Sequence, residues 1–155
     1  MSKAINVNGE IKKFSSAPKS WGNKMGLQYA TDSDLEDIGF YDIHEPSKNE
    51  SQEYGDLQWN EDNSRFEYPV QNRTFSQTLA ELKEQKINNL EAIYNHKLAE
   101  TDWQVTKLLE LGESIPSDLA NERAALRTEC NTKEDEINAL TTKAAVVDYA
   151  LPNLI

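Results

Sequence analysis

Residues 78–98 read TLAELKEQKINNLEAIYNHKL, and this stretch sets the architecture of the second half of the chain. Thr78 and Glu81 have the spacing of a capping box, in which a hydroxyl and a carboxylate three residues later bind the free N–H groups at a helix start. The apolar residues that follow recur every three to four positions, namely Leu79, Leu82, Ile87, Leu90, Tyr94 and Leu98. The pattern predicts a long helix that begins near residues 77–79.

A second helix start follows directly. Thr101 and Gln104 repeat the capping-box spacing just before an apolar run, which predicts either a kink or a restart at Thr101. Gly112 then predicts the end of that helix, because glycine readily adopts the left-handed conformation of a helix C-terminus. Pro116 is tolerated in a first turn, so the last helical segment is expected to begin at residues 116–117.

The last segment carries a heptad pattern that continues to residue 151. Two of its ten a and d positions hold Arg123 and Lys133. The other eight hold apolar or small residues, which we call the heptad seam: Leu119, Leu126, Cys130, Ile137, Leu140, Ala144, Val147 and Leu151. Such a repeat is typical of a coiled coil and predicts a rod of roughly 48 Å between residues 119 and 151.

Two packing partners fit the heptad seam equally well. It could pack against a second copy as a self-assembled coil, or against the stripe in residues 79–98 as an antiparallel helical hairpin that turns at residues 112–115. The two arrangements could also coexist in a bundle. In either case residues 76–155 form a helical hairpin or coiled-coil stalk.

Residues 1–75 have a different composition, rich in Gly, Pro, Asn, Ser and aromatic residues. Asn8-Gly9 between short apolar runs predicts a β-hairpin, and residues 31–39 have the N-cap and C-terminal glycine of a short helix. A strand is predicted over residues 40–43 and a second hairpin over 56–70, with loops over 15–30 and 47–55. The fold class is therefore α+β, with a small β-rich docking domain over 1–75 followed by the helical part.

Charge and composition restrict the partners. The 155 residues include 16 Lys and Arg against 27 Asp and Glu, so the net charge is −11 and the pI is near 4.6. Such a surface repels nucleic acid and anionic membranes, and we expect neither as a partner. A single cysteine, the lack of a long apolar run and the lack of a signal peptide indicate synthesis in a reducing cytoplasm.

No residue pattern typical of catalysis is present. His44 and His96 are the only histidines and lie far apart, one predicted in a loop and one in a helix. Cys130 has no CxxC partner, and phosphate-loop, nucleophile-elbow and HExxH motifs are absent. The sequence therefore predicts no catalytic residue, no cofactor and no metal site. Six aromatic residues are expected to build the N-terminal core or, alternatively, to anchor an interface: Trp21, Phe40, Tyr41, Trp59, Phe66 and Tyr68.

Two stretches carry a resemblance to a known family. Residues 34–43, DLEDIGFYDI, are followed by Trp59 and by Tyr-Pro-Val at 68–70. The more specific stretch has Thr-Asp-Trp at 101–103 and then Gly112, with Ile-Pro at 115–116 and RAALR at 123–127. Over roughly residues 31–130 the chain resembles small bacteriophage tail proteins encoded beside tail-fibre genes, known as tail-fibre assembly or fibre-associated proteins.

The resemblance implies a virion or virion-assembly protein that acts by binding and without catalysis. It implies a location in the tail after synthesis in the host cytoplasm, and other tail proteins of the fibre or baseplate as partners. Thr101, Asp102, Trp103 and Pro116 are then expected to form a structural anchor. In this anchor Thr101 and Asp102 meet free N–H groups, while Trp103 packs into the turn at residues 115–116.

Three functions compete on this basis. The first is a structural tail component, a fibre adaptor or minor fibre-associated protein that is homo-oligomeric through residues 117–151; continuation of the heptads to Leu151 favours it. The second is a chaperone that helps the fibre to assemble and then leaves. The third is a carbohydrate-binding or hydrolytic module, for which an exposed Trp21 or Trp59 would be diagnostic.

Overall fold

The computed structural model describes residues 1–154, and the chain divides into two compact units after Arg73. The division lies two residues before the boundary that the composition predicts. A β-rich first unit is followed by a helical second unit, and the chain is 44% helical and 19% strand. The predicted α+β class is confirmed.

The first unit is built from nine short strands and one short helix. The strands are β1 (Lys3–Val7), β2 (Glu10–Phe14), β3 (Ser20–Trp21), β4 (Lys24–Met25), β5 (Tyr41–His44), β6 (Gln52–Tyr54), β7 (Gln58–Asn60), β8 (Arg65–Glu67) and β9 (Val70–Asn72), and the helix α1 is Asp32–Glu36. Five of the strands form one sheet in the order β2-β1-β5-β8-β7, in which only the β5–β8 pair is parallel.

Local signals in this unit fold as expected. Asn8 and Gly9 both have positive φ, 53° and 89°, so the β1–β2 connection is the predicted two-residue hairpin. Thr31 and Asp34 form a reciprocal capping box at the start of α1. Gly39, at φ 90°, ends the turn after α1, where the Phe40 N–H donates to the Leu35 carbonyl at 2.9 Å.

The buried cluster of the first unit lies on one face of the five-stranded sheet, while Ala4 and Phe66 are buried on the other. Its buried members are Ile5, Leu27, Leu35 and Phe40. The half-buried Trp21 packs edge-to-face on Phe40, with ring centroids 5.5 Å apart. The sheet and α1 thus share one aromatic-rich core.

Two predicted loops contain regular structure. Residues 15–30 include the β3–β4 pair and a 3₁₀ turn at Leu27–Tyr29, and residues 47–55 include β6, which pairs with β9. His44, predicted in a loop, ends β5. These strands have two to four residues, too few for an alternating pattern to be read, and their partners are distant in sequence.

The second unit has four helices: α2 (Leu79–Ala99), α3 (Asp102–Glu110), α4 (Ser117–Ala139) and α5 (Lys143–Asp148). The capping box of Thr78 and Glu81 forms at the start of α2 as predicted. Lys83 Nζ at the start of α2 donates to the Asn138 carbonyl at the end of α4 at 2.6 Å. Because α4 begins beside the end of α2, the two helices are antiparallel, as in the predicted hairpin.

The heptad seam faces α2 over much of α4. Cys130 and Ile137 are buried with Leu90 and Tyr94 of α2. Five other members of the heptad seam are partly buried: Leu119, Leu126, Leu140, Val147 and Leu151. The structure contains one chain, so it shows the packing against α2 and not the alternative packing against a second copy.

The predicted continuous helix to residue 151 is wrong, because α4 ends at Ala139. Leu140 is extended, with φ −66° and ψ 139°, and the hydroxyl of Thr142 accepts a hydrogen bond from the Ala145 N–H to start α5. Threonine favours such caps because its hydroxyl competes for backbone groups. Because the helix is interrupted, α5 does not continue the heptad register of α4. Val146 is therefore buried, and Ala144, predicted in the heptad seam, is exposed.

The segment after the break packs back on the hairpin. Lys86 Nζ donates to the carbonyls of Val147 at 2.8 Å and Tyr149 at 3.1 Å, where a cation satisfies free C-terminal carbonyls of α5. Tyr149, Leu151 and Leu154 contact the core of Leu90, Tyr94, Cys130 and Ile137. The end of the chain therefore closes this core instead of extending a rod.

Candidate functional site

The corner where α2, α3 and α4 meet contains most of the predicted anchor residues. Thr101 separates α2 from α3, and both its N–H and its hydroxyl donate to the Leu98 carbonyl, at 3.2 and 3.1 Å. The predicted restart at Thr101 is confirmed, but its capping box with Gln104 does not form. The hydroxyl is already bound to Leu98 and therefore does not cap α3.

Arg123 holds this corner together. Its side chain is only 12% exposed, and its guanidinium donates to the Leu98 carbonyl at 2.7 Å, to the Thr101 hydroxyl and to Asp102 Oδ1 at 2.7 Å. Three groups at the α2–α3 junction are thus bound by one residue of α4. Thr101 and Asp102 act as an anchor through this arginine and not, as predicted, through free N–H groups.

Trp103 is not buried at the turn of residues 115–116, where it was expected to pack. Its side chain is 63% exposed. Adjacent positions of a helix point about 100° apart. Because Arg123 binds the carboxylate of Asp102, the neighbouring Trp103 is left at the surface. Pro116 precedes α4 as expected, and its carbonyl accepts a hydrogen bond from the Ala120 N–H at 3.0 Å.

Two more large apolar side chains are exposed where α3 ends. Leu109 is 64% and Leu111 is 61% exposed. Gly112, at φ 70°, ends α3 as predicted, with the Glu113 N–H donating to the Leu108 carbonyl at 2.9 Å in a Schellman arrangement. We call Trp103, Leu109 and Leu111 the α3 surface. No residue of α3 is buried.

A second candidate lies in the first unit, on the sheet face opposite its core. A cleft of about 300 Å³ is lined by Asn6, Gly39, Tyr41, Trp59 and Phe66, which we call the aromatic cleft. The rings of Tyr41 and Trp59 have centroids 4.6 Å apart, and those of Trp59 and Phe66 5.1 Å. Trp59 and Trp21 are each half-buried, so neither is the exposed tryptophan that would be diagnostic of a carbohydrate-binding module. Trp59 nevertheless lines the cleft.

The surroundings of Cys130 disfavour a role as a nucleophile. Burial raises the pKa of its thiol to about 11, assisted by a hydrogen bond to Glu134 at 3.4 Å. At neutral pH the thiol is therefore protonated, whereas a nucleophilic cysteine needs the thiolate. Cys130 serves as a small core residue, as its place in the heptad seam predicts.

One charged group that the sequence does not reveal is buried in the first unit. Lys3 lies 2.6 Å from Asp32 and 3.0 Å from Asp42. Burial lowers the pKa of Lys3, but its bonds to the two carboxylates outweigh burial and the net pKa is raised. This triad joins α1 to β1 and β5. Pairing across the sheet, rather than local spacing, brings it together.

The described residues 1–154 contain neither a cluster of metal-ligating side chains nor a membrane-spanning helix. No three His, Cys, Asp or Glu side chains are clustered so that they could hold a metal ion. None of the helices described combines the length and apolar character needed to cross a membrane.

No protein-family model matches this chain, and neither the curated proteins nor the solved structures contain a significant match. The resemblance to phage tail proteins therefore stands on the residues quoted for it, chiefly those at positions 101–103 and 123–127. The corner of Arg123 gives that motif a physical role, because it joins Thr101 and Asp102 to the arginine of RAALR.

Proposed function

We propose that this chain is a non-enzymatic structural component of a phage tail, a fibre adaptor or minor fibre-associated protein that acts by protein–protein binding. The observation that supports it best is the α3 surface, where Trp103 and Leu109 on the helix and Leu111 just after its end are large, apolar and exposed. Tryptophan is one of the three residue types that most often carry the binding energy at the centre of an interface, and the two leucines add apolar area around it.

The α3 surface is also preorganised. Arg123 ties the start of α3 to both other helices of the corner, and the Schellman turn at Gly112 fixes its end. A rigid surface loses less conformational entropy on binding than a mobile one. We therefore place the contact with fibre or baseplate proteins on α3.

Association between copies, if the chain is a homo-oligomer, uses a surface other than the heptad seam. Cys130 and Ile137 are already buried against α2 in the same chain. The net charge of −11 opposes close packing of copies and favours a partner with a less acidic surface. The same charge makes nucleic acid and anionic membranes poor partners.

One observation favours the alternative, a tail-fibre assembly chaperone absent from the mature virion. A lasting structural coil was expected from heptads that reach Leu151, but α4 ends at Ala139. A compact hairpin with an exposed binding surface also suits a protein that binds the fibre and is then released. Both functions use the α3 surface and differ in whether the complex persists.

Quantitative mass spectrometry of purified phage particles from the source strain separates the two. Presence at a fixed multiple of three or six copies per particle supports the structural role. Absence from particles, with the chain abundant in infected cells, supports the chaperone. Absence from both contradicts a role in a phage tail.

A variant tests whether α3 makes the contact. Replacing Trp103, Leu109 and Leu111 together by Ser is expected to remove the chain from particles, or to prevent fibre assembly, while its melting temperature stays within a few degrees. Met25→Ser is the matched control, because Met25 is 86% exposed and lies in the other unit. Normal incorporation of the triple variant would move the contact to another surface.

A further inference from the structure

The aromatic cleft has features of a ligand site that the proposed binding role of α3 does not use. The register of β1, β5, β8 and β7 places Asn6, Tyr41, Phe66 and Trp59 on the same face of the sheet. The opposite face carries the core around Ile5 and Phe40. Gly39 also lines the cleft, beside Tyr41.

Three polar groups of residues that line the cleft have no partner within the described residues. Asn6 Oδ1 accepts a hydrogen bond from the Gly9 N–H at 2.9 Å, so the amide orientation is fixed and its NH₂ group is free to donate. Neither the Tyr41 hydroxyl nor the Trp59 indole N–H is engaged, and neither is among the buried unpaired atoms of residues 1–154. Each of these groups can therefore bind water or a ligand.

The chemistry of the lining selects the kind of ligand. No lining residue carries a formal charge, which disfavours an ionic ligand. An apolar side chain of a partner protein would leave the three polar groups unpaired, at a cost in free energy for each. A volume of about 300 Å³ is at the small end for ligand sites and suits one or two rings.

We propose that the aromatic cleft binds one ring of a neutral saccharide. The axial C–H groups of a sugar pack on the Trp59 and Tyr41 rings, while its hydroxyls pair with the Asn6 NH₂ group, the Tyr41 hydroxyl and the indole N–H. A saccharide has an apolar face that matches the aromatic rings of the cleft, and hydroxyls at its edge that match the polar groups of the lining residues. The site belongs to the first unit and does not depend on the proposed role of α3.

A quaternary ammonium ion is the main competing ligand, since aromatic rings also attract cations. The arrangement of the three aromatic rings disfavours this cation. The rings of Tyr41, Trp59 and Phe66 contact one another edge-to-face, with centroids 4.6 to 6.4 Å apart. The ring contacts are therefore made among the three residues themselves, and no carboxylate lines the cleft to balance the charge of a cation.

Nuclear magnetic resonance of the full chain tests the proposal through its three tryptophans. The indole N–H signals of Trp21, Trp59 and Trp103 are assigned by single changes to Phe. The probes are the methyl glycosides of glucose, galactose, mannose and N-acetylglucosamine at millimolar concentration, with tetramethylammonium as the competing cation. We expect at least one glycoside to shift the Trp59 signal, and to leave those of Trp21 and Trp103 in place.

Variants distinguish binding in the cleft from other effects. Asn6→Asp keeps an oxygen for the Gly9 N–H but loses the NH₂ donor, and Tyr41→Phe loses only the hydroxyl. Each is expected to weaken glycoside binding roughly threefold to tenfold. Trp21→Phe, in the separate cluster with Phe14 and Phe40, leaves the affinity unchanged.

Two results would overturn the proposal. One is that no glycoside shifts the Trp59 signal, whether or not tetramethylammonium does. The other is that all three indole signals move alike, which indicates non-specific contact.

Discussion

At the scale of single residues, Arg123 joins three groups at the corner of α2, α3 and α4. Its guanidinium binds the Leu98 carbonyl, the Thr101 hydroxyl and the Asp102 carboxylate, and its side chain is almost withdrawn from water. We expect Arg123→Met to lower the free energy of unfolding by about 2 kcal/mol, because it leaves a carbonyl and a hydroxyl without a donor. Urea denaturation followed by circular dichroism measures the loss.

Arg127 provides the control for that change. It lies one turn later on α4, is exposed, and makes one hydrogen bond at 3.5 Å, to the Arg123 carbonyl. Arg127→Met is expected to change the free energy of unfolding by less than about 0.5 kcal/mol. Equal losses in the two variants would show that the corner does not depend on Arg123.

A second prediction for a single residue concerns the reactivity of the Cys130 thiol. Because burial raises its pKa to about 11, its thiolate fraction at neutral pH is far below that of a free cysteine. Alkylation by iodoacetamide at pH 8 is expected to be slow in the folded chain and fast after unfolding in urea. Labelling of the folded chain at the rate of free cysteine would contradict the buried position.

At the scale of elements, the capping box of α2 makes a measurable contribution. The Thr78 hydroxyl accepts a hydrogen bond from the Glu81 N–H at 3.2 Å, and the Glu81 carboxylate accepts one from the Thr78 N–H at 2.7 Å. Thr78→Ala is expected to cost about 1 kcal/mol, measured by urea denaturation. Ser76→Ala removes a nearby exposed hydroxyl that caps no helix and should leave stability unchanged. The same loss in both variants would argue against the cap.

The same box predicts a response to acid. The backbone N–H and hydroxyl of Thr78 hold the pKa of Glu81 below its ordinary value of 4.5. A carboxylate with a lowered pKa in the folded state stabilises the fold above its unfolded pKa, and this contribution is lost as pH falls through the folded pKa. The melting temperature should therefore fall below about pH 4.5, and less steeply in Glu81→Gln than in the parent chain. An equal fall of the melting temperature with pH in both chains would contradict this role of Glu81.

At the scale of the whole molecule, the stability of the helical unit rests on one small core. Ile137 is fully buried beside Leu90 and Tyr94. We expect Ile137→Asp to cost several kcal/mol, because it places a charge among apolar groups without a partner. Ala144→Asp is the control, since Ala144 belongs to the same heptad seam but is exposed on α5. Helical circular dichroism during heating should show a large loss of melting temperature for Ile137→Asp alone.

The sequence by itself determined the features whose causes lie within a few residues. The Asn8-Gly9 hairpin, the N-cap of the short helix at residues 31–39, the capping box of Thr78 and the helix end at Gly112 form where they are predicted. Each depends on a local φ preference or on a side chain that binds a backbone group three residues away. The α+β class follows from the same signals, because the composition changes where the local pattern changes.

Only the tertiary structure decided the features that depend on distant partners. The heptads alone could not decide whether the seam packs against a second copy or against α2, since both offer an apolar stripe. Nor could they show that α4 ends at Ala139 and that the chain then folds back. Among the anchor residues, Thr101 and Asp102 meet an arginine more than 20 residues away, and this contact leaves Trp103 exposed. The aromatic cleft likewise exists only because β1, β5, β7 and β8 lie side by side. Contacts between segments far apart in sequence have no local signal, and so their partners emerge only when the chain is folded.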